Sequence, residues 1–498
     1  MPEAEAQAAR NLIAARIARI LIVGLAAALI LYGLPAMPLT GDESWSKWMS
    51  GMGWGALFAA VRAYEFHPPF YYSLLKMWRG AAGSSVMALR FPSIIAGLGL
   101  ILLGWRMARV IGAFPWLAAL LLALNRTLIV HDRLARPYAL MALAVTGCLA
   151  LVLRIGQGGA RWFHYLAYAL VLESVLWLHA LGVLYAGALA LALFVVSQKR
   201  DWLRLIGLHI AVGLVWLPCL QLLLFQQTHR SHGWLVFHWA EVAPNLGEAF
   251  AGIRLWPGLI LAVGLAAWGS MSLWRGGKGR IAAALFIVAL LPIAGEVALS
   301  AAITPVFLMR YIVPSILPLT LLMAVPGFPL SLKRVQWVAW GLMLAWLGYG
   351  VWVELSTPPE EQWNKVVVYL NTHVARDEEL WVIPNDNAMY LRDNAGAAGL
   401  KFALVAQPAA FPAPDYKGGR DSGSPAVPGL DAASINRMIA EARARGRRTL
   451  WISHTHLQDF DAANNLHRQL LIRGHLLAPP LLISPVVLEH WALDRRAR

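Results

Sequence analysis

Cysteine is almost missing from this chain: there are two in 498 residues, Cys148 and Cys219. Each falls inside an apolar run, far from the other, so both read as small apolar residues and a disulfide framework is excluded. Charge is scarce as well, at 14% of residues, and acids are fewer than bases, 27 against 42. The C-terminal third lacks a glycine-rich phosphate loop, and no internal repeat is evident. The first apolar run has cationic flanks and no small-residue cleavage motif, so a cleaved signal peptide is not expected.

What fills the chain instead is apolar. Hydrophobic residues make up 59% of it, and the mean hydropathy is +0.57, which marks an α-helical polytopic membrane protein. About eleven spans are expected, at 17–35, 87–107, 113–130, 136–154, 162–180, 182–197, 203–223, 255–274, 281–302, 310–330 and 335–354. With a cytoplasmic N-terminus, each inner connection is short and basic: Arg16 and Arg19, Arg106 and Arg109, Arg154 and Arg161, Lys199 and Arg200, Arg275 and Lys278, Lys333 and Arg334. The net charge of +15 is then topogenic, and no nucleic-acid partner is implied. An odd number of spans places residues 356–498 outside the cytoplasm. The expected division is a membrane domain, 1–355, and an extracytoplasmic domain, 356–498.

The outer loops hold the chemistry-bearing residues. Loop 37–84 opens with Gly41-Asp42-Glu43, then sets Trp45, Trp48, Met49, Met52 and Phe58 at helical spacing, as for a helix lying in the interface with that face in lipid. A second such segment follows His67-Pro68-Pro69-Phe70-Tyr71-Tyr72. A carboxylate at a membrane exit can deprotonate a hydroxyl or hold a divalent cation; adjacent carboxylates point different ways, so one is free to serve as a helix cap. Asp42 and Glu43 are the candidate catalytic pair, with His67 and Tyr71 in support. A metal, if used, would draw on Asp42, Asp132 and His67.

Three further outer segments offer cations. Asn125 to Tyr138 packs Arg126, His131, Asp132, Arg133, Arg136 and Tyr138 at a span entry; arginines on the outer side oppose the positive-inside trend and point to an anion such as phosphate. Snorkelling is the alternative for one of them. Arg310-Tyr311 and Lys76 complete the candidate donor-binding set. The loop 223–254 carries His229, His232 and His238, whose spacing matches no standard helical ligand set and reads as a mobile interfacial substrate loop. Glu173 and Glu296 lie within spans, where a structural role is expected: Glu173 paired with a neighbouring helix, and Glu296 near the outer half of its span.

After Pro358-Pro359 the composition shifts. Helices at 361–375, 387–394, 431–445 and 459–473 alternate with strands at 380–383, 401–405, 449–453 and one or two more, which predicts a small α/β domain.

From about residue 17 to 375 the chain resembles the GT-C-type, polyprenyl-phosphate-sugar-dependent glycosyltransferases. That family (glycosyltransferase family 39) includes the aminoarabinose and galacturonic acid transferases of lipopolysaccharide and relates to the protein mannosyltransferases. The resemblance rests on Gly41-Asp42-Glu43, the His67–Tyr72 segment, Leu89-Arg90-Phe91-Pro92-Ser93, Ala135-Arg136-Pro137-Tyr138, Arg310-Tyr311 with Pro314, and Gln362-Trp363, in that order and topological placement. It implies that Asp42 is the essential carboxylate and that Arg136 sits by the lipid phosphate. Relatives often carry an acid two residues before that Arg, where this chain has Leu134; its nearest acid is Asp132. The resemblance further implies a polyprenyl-phosphate-linked sugar donor, a glycolipid or other envelope acceptor, inversion at the anomeric carbon, and a bacterial inner membrane location with the C-terminal domain periplasmic. A lipid-linked glycan flippase and a non-catalytic lipid-binding scaffold are the competing readings. A flippase needs ionisable residues through the midplane, whereas here the charges gather at the outer boundary.

Overall fold

A long apolar run has few ways to satisfy its backbone in a bilayer, and the helix is the one available without closing a barrel. The computed structural model of the chain describes residues 2–229, 236–327, 333–408, 410–411, 430–461 and 463–493. Among the described residues, seven helices are long and apolar enough to cross a membrane: Arg10–Ala36, Val86–Ile111, Tyr138–Gly156, Lys199–Gln227, Trp256–Arg275, Gly279–Ala302 and Lys333–Ser356. Trp162–Leu178, Gly182–Val196 and Val313–Met323 are shorter apolar helices. Leu21, Leu203, Leu214, Val215, Ile260 and Leu342 point outward and exposed; such a surface suits lipid and not water. This is a multi-pass membrane protein.

Two expected spans take another form. The run 113–130 is two helices, Pro115–Ala123 and Arg126–Asp132, because the Asn125 side chain accepts the Leu128 N–H and restarts the helix as a cap. The run 310–330 begins as two single turns, Met309–Tyr311 and Val313–Ser315, before the helix Ile316–Met323.

The chain divides into two compact units. The first comprises residues 1–35, 67–223 and 235–357 and holds the spanning helices. Small residues permit its closest helix approaches: a Cβ on Gly269 would fall 1.8 Å from the Leu322 carbonyl oxygen. Glu173 bonds within its own helix, accepting from the Trp177 indole at 3.2 Å, rather than pairing across helices. Cys148 and Cys219 are buried free thiols.

The second unit comprises residues 36–66, 224–234 and 358–498, so part of loop 37–84 groups with the C-terminal segment. Its sheet contains β1 (Glu379–Ile383), β2 (Ala403–Ala406), β3 (Thr449–His454), β4 (His475–Leu476), β5 (Leu481–Ile483) and β6 (Val486–Ala492). The order is β2-β1-β3-β6-β4, with β5 also on β6. β1 runs parallel to β2 and β3, and β6 runs antiparallel to its neighbours. All five residues of β1 are buried, as a parallel strand covered on both faces must be. One face packs Ile435, Met438, Ile439, Leu466 and Leu470 against Trp381, Ile452 and Trp491. The other packs Trp363, Val366, Leu370 and Leu391 against Leu380, Val382 and Leu488.

Candidate active site

In the second unit, Thr40 starts the helix Gly41–Gly51 with a capping box. The Thr40 Oγ1 accepts the Glu43 N–H at 3.2 Å, and a Glu43 carboxylate oxygen accepts the Thr40 N–H at 3.1 Å. Glu43 is thus fully buried and serves the helix start, while Asp42, one residue earlier, stays partly open.

The segment that presents Asp42 is held by residues more than 300 positions away in sequence. The Gly41 N–H donates to Glu361 at 2.7 Å, and the Trp363 indole donates to the same oxygen at 2.7 Å. Asn394 exchanges two hydrogen bonds with the Leu39 backbone, and Lys47 pairs with Asp393 at 2.7 Å. A Cβ on Gly41 would lie 3.0 Å from the Tyr390 ring, so glycine is what lets the helix start approach Tyr390. Burial raises the Glu361 carboxyl above its usual range, and the charges of Asp42 and Glu360 add to this against the two hydrogen bonds. Tyr390 is likewise pushed well up by burial and by the charges of Asp386, Asp42 and Glu361. Asp42 therefore stands in an acid-rich setting. Glu361, Asp386 and Tyr390 were not singled out from sequence, because only tertiary folding brings them to residue 42; the adjacent Gln362-Trp363 motif was the available signal.

The expected lipid-facing Trp and Met stripe is largely used inside this unit. Met49 is buried, Trp45 and Trp48 pack on Phe411 with ring centroids 6.2 and 5.1 Å away, and the Trp45 indole donates to Glu65 at 2.6 Å. Trp54 and Phe58, on the next helix, are the exposed ones.

In the first unit, Arg136 sits in a tight turn after the helix Arg126–Asp132, its N–H on the Leu134 carbonyl and its own carbonyl accepting from Ser93. Tyr138 opens the next helix. The Tyr138 ring has the Arg136 guanidinium 5.8 Å from its centroid and the Arg310 guanidinium 6.0 Å away. Around these stand His131, edge-on to Tyr138 at 5.1 Å, Tyr311 at 6.1 Å from Tyr138, and His179 at 4.6 Å from Tyr311 and 4.3 Å from His67. Arg136, His67, His131, Tyr138 and His179 are all nearly buried. A cavity of about 10 Å³ is lined by Tyr138, His179, Tyr185, Arg310 and Tyr311 among others. Among the described residues, the Tyr138 hydroxyl and the His179 Nε2 have no hydrogen-bond partner. Buried polar atoms of that kind call for a ligand or water. The Tyr185 hydroxyl is satisfied, donating to the Tyr311 carbonyl at 3.0 Å. His179 lies in the turn between the helices Trp162–Leu178 and Gly182–Val196 and belongs to none of the sequence motifs.

The remaining candidates fall in other settings. Arg133 donates to the Tyr32 carbonyl at 2.6 Å and lies 3.7 Å from Glu354, and Arg126 reaches Glu354 and Glu248. Two of the three clustered arginines are therefore engaged in the helix framework. Arg90, of the Leu89–Ser93 motif, is wholly buried on the Leu34 carbonyl. Asp132 is buried against Gly97, whose added Cβ would meet its carboxylate at 2.1 Å. Lys76 and the buried Tyr71 lie on the helix Phe70–Ala82. Glu296 is buried, its carboxylate oxygens lacking hydrogen-bond partners among the described residues. Of the histidine loop, His232 lies outside the described residues, His229 ends the helix Trp202–His229, and His238 precedes the single turn Trp239–Glu241 and the helix Val242–Ala251.

Comparison with known proteins gives neither a matching family model nor a matching curated protein. Solved structures do match. ArnT from Cupriavidus metallidurans in its apo state superposes with a TM-score of 0.59 at 14% identity, covering 96% of this chain and 98% of that one. The same protein bound to undecaprenyl phosphate gives 0.56 at 16% identity, over 95% and 97%. The mycobacterial arabinofuranosyltransferase AftD gives 0.52 at 15% identity, over 97% of this chain and 40% of that one. The chain has the GT-C-type fold that its motifs resemble.

Proposed function

We propose that the protein is a membrane glycosyltransferase that moves a sugar from a polyprenyl phosphate to an envelope acceptor, lipid, glycolipid or polymer, at the outer face of the inner membrane. The observation that carries this reading is the buried group around Tyr138: two guanidiniums on one ring, with a hydroxyl and an imidazole nitrogen lacking partners among the described residues. Cations and donors of that kind, shielded from water, suit a phosphate monoester or diester far better than a neutral ligand. ArnT, which shares the fold, has been solved with undecaprenyl phosphate, and this supports a lipid phosphate as the anion.

The chemistry follows from charge. The anomeric carbon–oxygen bond to phosphate breaks and its electron pair leaves with the polyprenyl phosphate. Arg136 and Arg310 neutralise that growing charge, with Tyr138 and His179 donating to its oxygens. The acceptor hydroxyl attacks from the opposite side, which inverts the anomeric centre, and its proton passes to Asp42. Glu43 supports Asp42 through the capping box, and Lys76, Arg133, Tyr311, His67, Tyr71, His131 and Asp132 are supporting positions. The acids act directly or through a divalent cation. Chelation that abolishes turnover, with rescue by Mg²⁺ or Mn²⁺, would assign them the cation-holding role.

The test is mass spectrometry of envelope glycolipids from a deletion strain complemented with wild type, Asp42→Asn or Arg136→Ala, each shown to accumulate in the membrane. Wild type is expected to restore a species heavier by one sugar residue. Asp42→Asn should lower turnover about 10²- to 10⁴-fold, the usual worth of a general base. Full restoration by Asp42→Asn would overturn the assignment and favour lipid-linked glycan transport or scaffolding.

A further inference from the structure

The second unit contains a cluster that the transferase reading does not use. His454 ends β3, Glu489 lies on β6, and His467 lies on the helix Asn465–Arg473. In the antiparallel register His454 faces Val487 and Ile452 faces Glu489, so His454 and Glu489 project from the same face of the sheet, two positions apart. That face is the one covered by Leu466 and Leu470 of the same helix, which brings His467 down onto the pair. The His467 Nε2 is 2.8 Å from a Glu489 carboxylate oxygen, and the His454 Nε2 is 3.4 Å from the same atom. One ligand atom from each of the three residues lies within 4.8 Å of the others, and among the described residues no other group of three His, Cys, Asp or Glu side chains does so.

We propose that His454, His467 and Glu489 form a binding site for a divalent transition metal, with Zn²⁺ the best match to two imidazoles and a carboxylate. Ligands about 2.0–2.2 Å from a tetrahedral ion stand roughly 3.3 Å from each other, and the observed separations need only small side-chain shifts to reach this. The outer partners are in place. The Trp491 indole donates to the other Glu489 oxygen at 2.8 Å, which turns the first oxygen to the rings. The His467 Nδ1 lies 2.6 Å from Asn464 Oδ1; an N–H donated there commits the Nε2 lone pair to the centre. Asn464 is itself held in a left-handed conformation, φ 53°, just after Asp461, whose carboxylate accepts the N–H groups of Asn465 and Leu466. His454 and Glu489 are buried, whereas His467 is partly open; this gives an entry path and leaves a fourth position for water. The ion would staple the helix Asn465–Arg473 to β3 and β6.

The experiment uses the full chain, purified in detergent without a histidine tag. It is stripped with chelator, dialysed against Zn²⁺, and its metal counted by mass spectrometry; Co²⁺ loading gives a second readout through its absorption bands. We expect about one Zn²⁺ per chain, lost in His467→Gln and in Glu489→Gln and kept in His373→Ala, with intense tetrahedral Co²⁺ bands from the wild type. His467 is partly open and lies on a helix outside the sheet, so metal-free melting and monodispersity serve as the folding control for His467→Gln. Wild type that retains no metal, or His467→Gln and Glu489→Gln chains that retain it, would overturn the site and leave an imidazolium–carboxylate pair in its place. Neither result depends on transferase activity.

Discussion

Gly41 shows how much one absent methyl group can matter. A Cβ there would meet the Tyr390 ring at 3.0 Å, closer than packed carbons accept without displacement. Gly41→Ala is expected to cost about 1–3 kcal/mol of stability, as overpacking does, and to lower turnover by shifting Asp42. Thermal melting and the glycolipid assay together read both effects, and an unchanged protein would show that Tyr390 yields freely. Glu379 carries a different lesson. It is nearly fully buried, and burial alone would raise its carboxyl; hydrogen bonds from Arg445 and Trp381 and the charges of Arg445 and Arg447 hold it below the usual range instead. A depressed folded pKa gives stability that is present above the unfolded value, about 4.3, and lost as pH falls through the folded value. Between pH 7 and pH 3 the wild type should therefore lose more melting temperature than Glu379→Gln; equal losses would remove Glu379 as a source of acid sensitivity.

At the scale of the element, sequence pattern was a good guide wherever period and length agreed. The expected helix 387–394 is Asn387–Asn394, and the strand 449–453 is Thr449–His454. The helix expected at 459–473 is instead Leu457–Phe460 and Asn465–Arg473, because the Asp461 carboxylate caps the second piece and its side chain competes with helix continuation. The break at Asn125 has the same origin. Both caps are written in the sequence, yet apolar periodicity runs straight across them. Close packing was less legible still. Nothing in the span Trp256–Arg275 marks Gly269 as the point where the Leu322 carbonyl passes 1.8 Å from a would-be Cβ. Gly269→Val is expected to abolish stable accumulation in the membrane, whereas substitution at Gly264, which has open space, should be tolerated. Equal accumulation of the two variants would overturn this packing account.

For the whole molecule, the membrane class and the alternating helix–strand unit follow from composition and order. The candidate site follows only in part. Asp42, Arg136, Tyr138 and Arg310 stand out in the sequence because each sits in a recognisable motif beside an apolar run, and Arg136, Tyr138 and Arg310 are gathered by the fold. His179 and Glu361 do not stand out, since an isolated histidine in a turn and an acid beside prolines become meaningful only beside partners far along the chain. The partners of Arg133 were equally hidden, its charge being answered by Glu354 and the Tyr32 carbonyl.

The three ties on the Asp42 segment run to Glu361, Asp393 and Asn394, all made late in synthesis. A ribosome that has released the first loop has several hundred residues still to add before the fasteners of that loop exist. Asp42 is thus among the first residues of its unit to emerge and among the last to be set in place. If the protein is the transferase proposed above, assembly order itself acts as a safety catch, keeping a polytopic intermediate inactive until its last segment is made.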